Sequence, residues 1–168
     1  MFRLMCFAAL ALAVTACPFG WSQSGRSCYK VSQMAATYEQ AAMLCSQQSS
    51  CETGFGGHLV SITTDFEKQQ VTDILNFNQM ARNETWLGLR TYNGPLRWAS
   101  GEPLNPALTN PWHPGNPMRG PNMCTVSFQN RWATRNCNMR RQFICEMGGS
   151  APPPAFYVNQ GTANQETP

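Results

Sequence analysis

The sequence contains little charge and almost no histidine. Asp, Glu, Lys and Arg together make up 12% of its 168 residues, where soluble domains average about 25%. No acidic residue lies between Glu102 and Glu146, and no lysine lies between residues 82 and 148. The two histidines, His58 and His113, are far apart, and no G-x-S-x-G, H-E-x-x-H or phosphate-loop motif occurs. The sequence therefore gives no support for catalysis, and we expect a protein that is not an enzyme.

Residues 1–16 predict a secretory signal peptide. Arg3 precedes an apolar run from Leu4 to Val14, and small residues follow it. The run is too short to span a hydrocarbon layer about 30 Å thick, and no later segment is long and apolar enough to do so. We therefore expect a secreted, extracellular protein without membrane insertion. The sequence VTAC also resembles a bacterial lipoprotein cleavage site, at which Cys17 would be lipidated. Lipidation is disfavoured because Cys17 is also a candidate for a disulfide.

Secretion makes disulfide pairing the default state of the cysteines. Eight cysteines occur, and Cys6 would leave with the signal peptide. The seven that remain are Cys17, Cys28, Cys45, Cys51, Cys124, Cys137 and Cys145. An odd count predicts either a free thiol or a bond to another chain. Zinc is the competing interpretation, but no C-x2-C pair occurs, so we expect no structural zinc site.

The first half of the mature chain predicts a hairpin and two helices. Residues 17–32 alternate aromatic and polar residues around a Ser-Gly turn, which is typical of a hairpin. Helical spacing follows from Thr37, a plausible N-cap, and the sequence HLVSI from His58 predicts a short buried strand. The inner face of the first helix is expected to hold Ala41, Leu44 and Cys45. In the second helix, TTDFEKQQVTDILNF, we expect Phe66, Val71, Ile74 and Leu75 to face inward and Glu67 and Lys68 to face outward.

The second half predicts strands separated by a long loop. TWLGLR from Thr85 predicts a strand in which Gly88 allows another backbone to come close. Residues 91–123 contain seven prolines, and a loop of this length is normally functional or disordered, although a rigid spacer is the plainer alternative. Three strands follow, with the sequences CTVSF, RWAT and QFICEM. The Pro-, Asn- and Gln-rich tail, residues 148–168, is expected to be disordered.

The chain from Cys17 to Met147 resembles a C-type lectin-like domain. The match depends on an ordered set of motifs: CPFGW and SCY at the start, the helix ending at Cys45, WLGL at 86–89, Trp98, CTVSF from 124, RWATRNC from 131 and FICE from 143. The resemblance implies an α+β, C-type lectin-like fold with two helices flanking small antiparallel sheets and a long loop region at one end. It also implies the disulfides Cys17–Cys28, Cys45–Cys145 and Cys124–Cys137. Cys51 is then unpaired, or it joins a second chain in a disulfide-linked dimer.

The family's calcium ligands are missing from this sequence. In sugar-binding members they come from an acid-Pro-Asn motif, an acid two residues before the next cysteine, and an Asn-Asp pair after a tryptophan. The corresponding positions here are Asn116, Met118, Asn122, Ala133 and Thr134. Calcium takes about six to eight oxygen ligands, several of them anionic. Glu102, in the alternative match GEPLN, would have no acidic companion. We therefore expect no metal, no cofactor and calcium-independent binding.

Positive charge is concentrated in the second half of the mature chain. Residues 17–81 carry a net charge of −2 and residues 82–148 carry +5, and all eight basic residues of the second part are arginines. Arginine suits sulfate, carboxylate and carbonate oxygens. The candidate anion ligands are Arg119 in the proline-rich loop and Arg131 and Arg135, which flank Trp132. Scattered, solvated arginines are the alternative, and so modest a net charge makes nucleic acid a poor candidate.

The chain is similar to the echinoderm spicule matrix proteins. The features that carry this similarity are the GNPMRGPNM loop, the cysteine pair in CSQQSSC and the excess of basic residues. The predicted function is a secreted, non-catalytic binding protein of extracellular or biomineral matrix, with a mineral surface, acidic matrix or anionic or sulfated glycan as partner. A soluble, calcium-independent glycan-recognition lectin of innate immunity is the alternative, and an antifreeze role is a third. Asn83, in the sequence NET, is a candidate glycosylation site and is expected at the surface.

Overall fold

We describe a computed structural model of the chain. The structure describes residues 17–48, 56–91, 95–109, 111–118 and 120–148. The predictions for the signal peptide, Cys51, Arg119 and the tail beyond Gly148 lie outside these residues.

The described part of the chain begins with the predicted hairpin, which is confirmed. Strand β1, Ser22–Ser24, pairs with β2, Ser27–Ala36, across a turn in which Gly25 has a φ of +60°. The Cys17–Cys28 disulfide, with 5.5 Å between the Cα atoms, joins the segment before β1 to β2. The hairpin is thereby fixed to the sheet, because β2 also pairs with the last strand.

Both predicted helices form, and each begins with a capping box. Helix α1, Tyr38–Ser46, has Thr37 as its N-cap, as predicted, and helix α2, Asp65–Phe77, has Thr64. In each, the threonine side chain accepts a hydrogen bond from the N3 backbone N–H, and the N3 side chain accepts one from the N-cap N–H. These bonds satisfy backbone donors that have no partner within the helix.

The prediction that Phe66 faces inward is wrong. Its side chain is 67% exposed, whereas Val71 and Leu75 are buried. A helix of 3.6 residues per turn advances about 100° per residue, which places Phe66 about 140° from Val71 and 180° from Leu75. The outward prediction for Glu67 is also wrong, because this half-buried side chain is the capping residue and accepts hydrogen bonds from Thr63 and Thr64.

The remaining strands complete one mixed sheet. They are β3 His58–Leu59, β4 Thr85–Thr91, β5 Leu96–Trp98, β6 Met123–Phe128, β7 Arg131–Asn136 and β8 Arg141–Gly148. The strand order is β1-β2-β8-β4-β6-β7, with β3 paired to β8 and β5 paired to β4. The β4–β8 pair is parallel, and the other strand pairs are antiparallel. The expected α+β fold class is confirmed, but the strands form one mixed sheet and not the small antiparallel sheets that were expected.

Two hydrophobic clusters pack against the sheet. The first contains α1 residues, Trp86 and two disulfides, Cys45–Cys145 and Cys124–Cys137. The second contains α2 residues together with Trp98 and Trp132, and partly buried side chains of the long loop pack against it. All three disulfides implied by the resemblance are present. No helix among the described residues is long and apolar enough to cross a membrane.

Gly88 allows the close backbone approach that was expected in β4. A Cβ atom at this position would lie 2.5 Å from the Leu59 carbonyl oxygen and 2.8 Å from that of Val60. The Gly88 N–H donates to the same Val60 oxygen at 2.8 Å, so this segment cannot move away without losing a buried hydrogen bond.

We predict that Gly88→Ala destabilises the fold by about 1–3 kcal/mol, the usual cost of overpacking. The control is Gly120→Ala, because a Cβ there would meet nothing closer than 3.7 Å. Chemical denaturation of both variants checks the prediction. Equal midpoints for Gly88→Ala and the wild-type protein would contradict the close approach.

Candidate functional site

The long loop lies along the free edge of β7. β7 is the last strand of the sheet, so the outer backbone groups of the strand have no neighbouring strand. The Trp132 N–H donates to the Pro111 carbonyl at 2.7 Å, and the His113 N–H donates to the Trp132 carbonyl at 2.8 Å. Trp112 and Trp132 thus form a short parallel bridge. The loop satisfies this edge as an added strand would.

Three tryptophans join the loop to the second core cluster. The rings of Trp112 and Trp132 meet edge-to-face with centroids 5.6 Å apart, and those of Trp98 and Trp132 do so at 5.3 Å. Edge-to-face pairs of this kind add about 0.5–1.5 kcal/mol beyond area burial. Next to them, Nε2 of His113 lies 2.8 Å from the Phe128 carbonyl oxygen, which accounts for this histidine as a structural contact.

Three of the positions that the resemblance assigns to calcium ligands, Asn116, Met118 and Thr134, are hydrogen-bonded directly to one another. The Asn116 Oδ1 atom accepts from the Thr134 N–H at 2.9 Å and from the Thr134 hydroxyl at 3.1 Å. The Met118 N–H donates to the same hydroxyl at 2.9 Å. Asn122 Nδ2 donates to Asn136 Oδ1 at 3.1 Å. The loop between these residues includes a cis peptide at Asn116–Pro117.

An open cleft of about 470 Å³ lies beside these bonds. The end of β4 and the start of β5 form one wall, and the turn after Asn116 forms the other. Its lining includes Thr91, Leu96, Pro117, Met118, Met123 and Thr134. Pockets for small ligands usually measure about 300–1,000 Å³. The cleft therefore has the size of a binding site. It could not be recognised from the sequence, because its walls come from separate segments.

Two of the three candidate arginines, Arg131 and Arg135, lie on β7, and Arg119 lies outside the described residues. Arg131 is exposed, but the Arg135 Nε atom donates to Glu84 at 2.5 Å. Because side chains alternate along a strand, Arg131 and Arg135 share one face of β7, and Trp132 and Thr134, which contact the loop, lie on the other. The interpretation that all three arginines add to the same loop patch is therefore not supported for Arg131 and Arg135.

Glu84 forms ion pairs with two arginines. Its two carboxylate oxygens accept from Arg135 Nε at 2.5 Å and from Arg141 Nε at 2.6 Å. Burial alone would raise the pKa of Glu84, but the hydrogen bonds and charges of the two arginines outweigh burial and lower the pKa. The carboxylate is therefore stabilised in its charged form and holds both arginines in place.

A second polar cluster, not anticipated from the sequence, surrounds Glu146. This carboxylate is 4% exposed, and its Oε2 atom accepts from the Ser61 N–H at 3.0 Å. Burial raises the pKa of Glu146, and the charge of His58 opposes that rise. His58 is buried as well, and its Nδ1 atom lies 2.8 Å from the Leu59 carbonyl oxygen. The nearly continuous apolar character of HLVSI and FICEM could have indicated that both residues lie on buried strands.

The Glu146 cluster encloses little space. Glu67, Glu102 and Glu146 line a hollow of about 30 Å³ together with hydroxyl side chains. Among the residues that the structure describes, no group of three or more His, Cys, Asp or Glu side chains is arranged to hold a metal ion.

The comparisons with known proteins all indicate the same protein family. Residues 34–147 match the family model described as "Lectin C-type domain". The C-type lectin lectoxin-Lio1 of Erythrolamprus poecilogyrus is 28% identical over 158 residues, which cover 87% of this chain and 91% of that protein. The structure of human lithostathine is similar with a TM-score of 0.69 at 22% identity, covering 84% of this chain and 97% of that one. A calcium-independent type II antifreeze protein has a TM-score of 0.63 at 24% identity, covering 79% and 95%.

We predict that Thr134→Val destabilises the protein by about 1–3 kcal/mol, the usual cost of leaving buried polar groups without partners. The substitution removes the hydroxyl that bonds to both Asn116 and Met118. Thr125→Val is the matched control, because Thr125 faces Thr134 across the sheet and its buried hydroxyl has no hydrogen-bond partner among the described residues. Denaturant unfolding measures both variants. An equal loss of stability in Thr125→Val would contradict the prediction, because the loss in Thr134→Val could then not be assigned to the hydrogen bonds of its hydroxyl.

We predict that Glu84→Gln lowers stability at neutral pH and that the difference from wild type shrinks in acid. The folded-state pKa of Glu84 is lowered. Its stabilising effect is therefore present above the unfolded pKa and is lost as the pH falls through the folded pKa. Melting temperatures between pH 7 and pH 2 measure the difference, with Asp73→Asn, at an exposed position, as control. A difference that is constant over this pH range would contradict the ion-pair assignment.

Proposed function

The chain belongs to the C-type lectin domain family, and from this premise we propose that it is a secreted, non-catalytic protein that binds its ligand without calcium. The observation that supports this proposal is the direct bonding of Asn116 to Thr134. In the family these positions supply calcium ligands, and calcium in turn holds the sugar. Here Asn116 is hydrogen-bonded directly to Thr134, and this contact connects the loop to β7.

The chemistry of Asn116 favours calcium independence. A side-chain carbonyl oxygen has two lone pairs, and Asn116 Oδ1 already accepts two hydrogen bonds. Coordination of calcium would have to break both. Met118 and Ala133, at two further ligand positions, have no side-chain oxygen. Calcium would therefore meet neutral, already bonded groups, which do not compensate for the loss of its hydration shell.

Three disulfides support secretion, because disulfides persist in oxidising compartments. We propose residues 1–16 as signal peptide, 17–147 as the binding domain and 148–168 as a separate tail. Asn83 is exposed, as a glycosylation site requires. Cys51 is proposed to be free or to form a disulfide-linked dimer, because the other six cysteines of the mature chain are paired.

We propose that the ligand is an anionic surface or polymer: mineral, acidic extracellular matrix or sulfated glycan. The support is the net charge of +5 over residues 82–148. Arg131 is exposed, and Arg119 follows Met118 in the loop. A single exposed ion pair contributes about 0–1 kcal/mol and is screened by salt. Useful affinity therefore requires a repetitive partner that several arginines contact together.

A soluble glycan-recognition lectin is the second candidate. The 470 Å³ cleft favours it, because a cleft of this size accepts a discrete ligand whereas a mineral face does not enter one. A relative named as a C-type lectin supports the same alternative. Extraction from demineralised tissue would favour the matrix role, and recovery from body fluid would favour the soluble lectin.

We predict that calcium titration gives no binding heat and that a chelator leaves the melting temperature unchanged.

Adsorption to calcium carbonate and to heparin should fall several-fold in Arg119→Glu/Arg131→Glu at low salt and should change less at physiological salt, because salt screens exposed charges. The single variants Arg119→Glu and Arg131→Glu are each compared with Arg26→Glu, in the exposed hairpin turn, which changes the net charge by the same amount. Micromolar calcium affinity would contradict calcium independence, and wild-type adsorption by the double variant would contradict the anion site.

A further inference from the structure

Helix α2 exposes a phenylalanine next to the turn of the N-terminal hairpin. The Phe66 side chain is 67% exposed. A Cβ atom at Gly25, in the turn between β1 and β2, would lie 3.8 Å from Cε1 of Phe66 and 3.4 Å from Nε2 of Gln70. The hairpin turn therefore borders the Phe66 ring, and most of this side chain remains open to solvent. We call Phe66, Gln70 and Gly25 together the Phe66 surface.

The domain ends beside the same turn. Gly148, the last residue of β8, pairs with Ser27 at the start of β2. A Cβ atom at Gly148 would lie 3.0 Å from the carbonyl oxygen of Arg26, the residue that follows Gly25. Because consecutive Cα atoms are about 3.8 Å apart, these contacts in series keep the Phe66 ring within about 16 Å of Gly148. The chain therefore leaves the domain close to the Phe66 surface.

The tail has the length and the composition to cover this surface. Residues 152–158 read PPPAFYV, an apolar run in a tail whose single charged residue is Glu166. Phe156 lies eight residues beyond Gly148, and a flexible segment of this length has a root-mean-square span of about 14–17 Å. That span suits the distance from Gly148 to the Phe66 ring. Full extension reaches about 26–29 Å, so the chain can also change direction on the way.

We propose that residues 152–158 bind to the Phe66 surface of the same molecule, with the Phe156 and Tyr157 rings against Phe66 and Gln70. Contact between aromatic rings removes apolar area from water and favours edge-to-face or offset pairs. Three consecutive prolines stiffen the run, so little conformational freedom is lost on binding. A short tether gives an effective concentration on the order of millimolar, so a weak intrinsic affinity is enough. The tail then covers an aromatic side chain that would otherwise face solvent.

The hollow at the same end of the domain does not fit the apolar run. Gly148 lines this hollow together with His58 and the carboxylates of Glu67, Glu102 and Glu146, and its volume is only about 30 Å³. Such a space has room for a water molecule or two and not for an aromatic ring. A ring placed over it would also remove polar groups from water without giving them a hydrogen bond. The open Phe66 surface is therefore the better place for the run.

Phe77 supplies a matched control on the same helix. Its side chain is 88% exposed. At about 1.5 Å and 100° per residue, Phe77 lies about 16–17 Å along the helix from Phe66 and within about 20° of the same side. The two phenylalanines thus share a helix face and are both exposed. Of the two, Phe66 borders the hairpin turn beside which the tail begins.

The first test is NMR of the chain without residues 1–16, with 13C-labelled phenylalanine and tyrosine rings and no added ligand or calcium. Single Ser variants of Phe66, Phe77, Phe156 and Tyr157 assign the four ring signals. We expect nuclear Overhauser effects from the Phe156 and Tyr157 rings to Phe66 and none to Phe77. Phe156→Ser/Tyr157→Ser should shift the Phe66 signals and leave those of Phe77 in place.

Chymotrypsin cleavage after Phe156 and Tyr157, followed by mass spectrometry, gives a second readout. Cleavage follows the population of the open form when opening and closing are fast. Phe66→Ser should therefore accelerate cleavage in the tail several-fold, whereas Phe77→Ser should leave the rate unchanged. Both substitutions are at exposed positions, so equal unfolding midpoints are expected and exclude a general loss of stability.

Absence of ring contacts between Phe66 and the tail would overturn the proposal, and so would equal acceleration of cleavage by Phe66→Ser and Phe77→Ser. Ring contacts that occur only between differently labelled molecules in a mixed sample would also contradict it, because the occupant would then be the tail of a second copy. None of these outcomes depends on calcium or on anion binding, so they are independent of the proposed function.

Discussion

The outer edge of β7, which pairs with no other strand, is the constraint on which the course of the long loop depends. An edge strand presents unpaired backbone groups that must be covered, bent away or left to solvent. Here the loop covers them: Pro111 and His113 bond to the backbone of Trp132, and Asn116 bonds to that of Thr134. The loop thereby has a fixed course along β7.

The same bonds give this part of the loop a defined course, although the positions that the resemblance assigns to calcium ligands hold no acidic residue. A calcium site holds a loop by ionic contacts, which require several carboxylates close together and therefore the ion itself. In this chain, neutral amide and hydroxyl groups bond to each other directly, so no like charges have to be brought together. Beside these bonds, the cleft lined by Leu96, Pro117, Met118 and Met123 is a largely apolar feature of the same region.

Local signals predicted most of the fold and little of the site. Thr37 could be recognised as an N-cap and Gly88 as a point of close approach because neighbouring residues or one strand fix both roles. The α+β fold followed from the resemblance, and the structure confirms it. Phe66 is apolar and therefore looks like a core residue, but its angular position on the helix turns it away from the buried face. The bond between Asn116 and Thr134 was not predictable, since it joins residues 18 positions apart through a loop whose course depends on the β7 edge.

The arginines show why composition alone could not define an anion site. Several of the eight are already engaged: Arg135 and Arg141 with Glu84, Arg90 with Glu39, and Arg97 and Arg140 with backbone carbonyls. An engaged guanidinium is a poor direct ligand, because a new partner must compete with the existing one. Its charge nevertheless contributes to the field around the domain, and that field attracts anions over a Debye length of about 8 Å at physiological salt. Long-range attraction can therefore belong to the whole positive half, while direct contact is restricted to exposed residues such as Arg131.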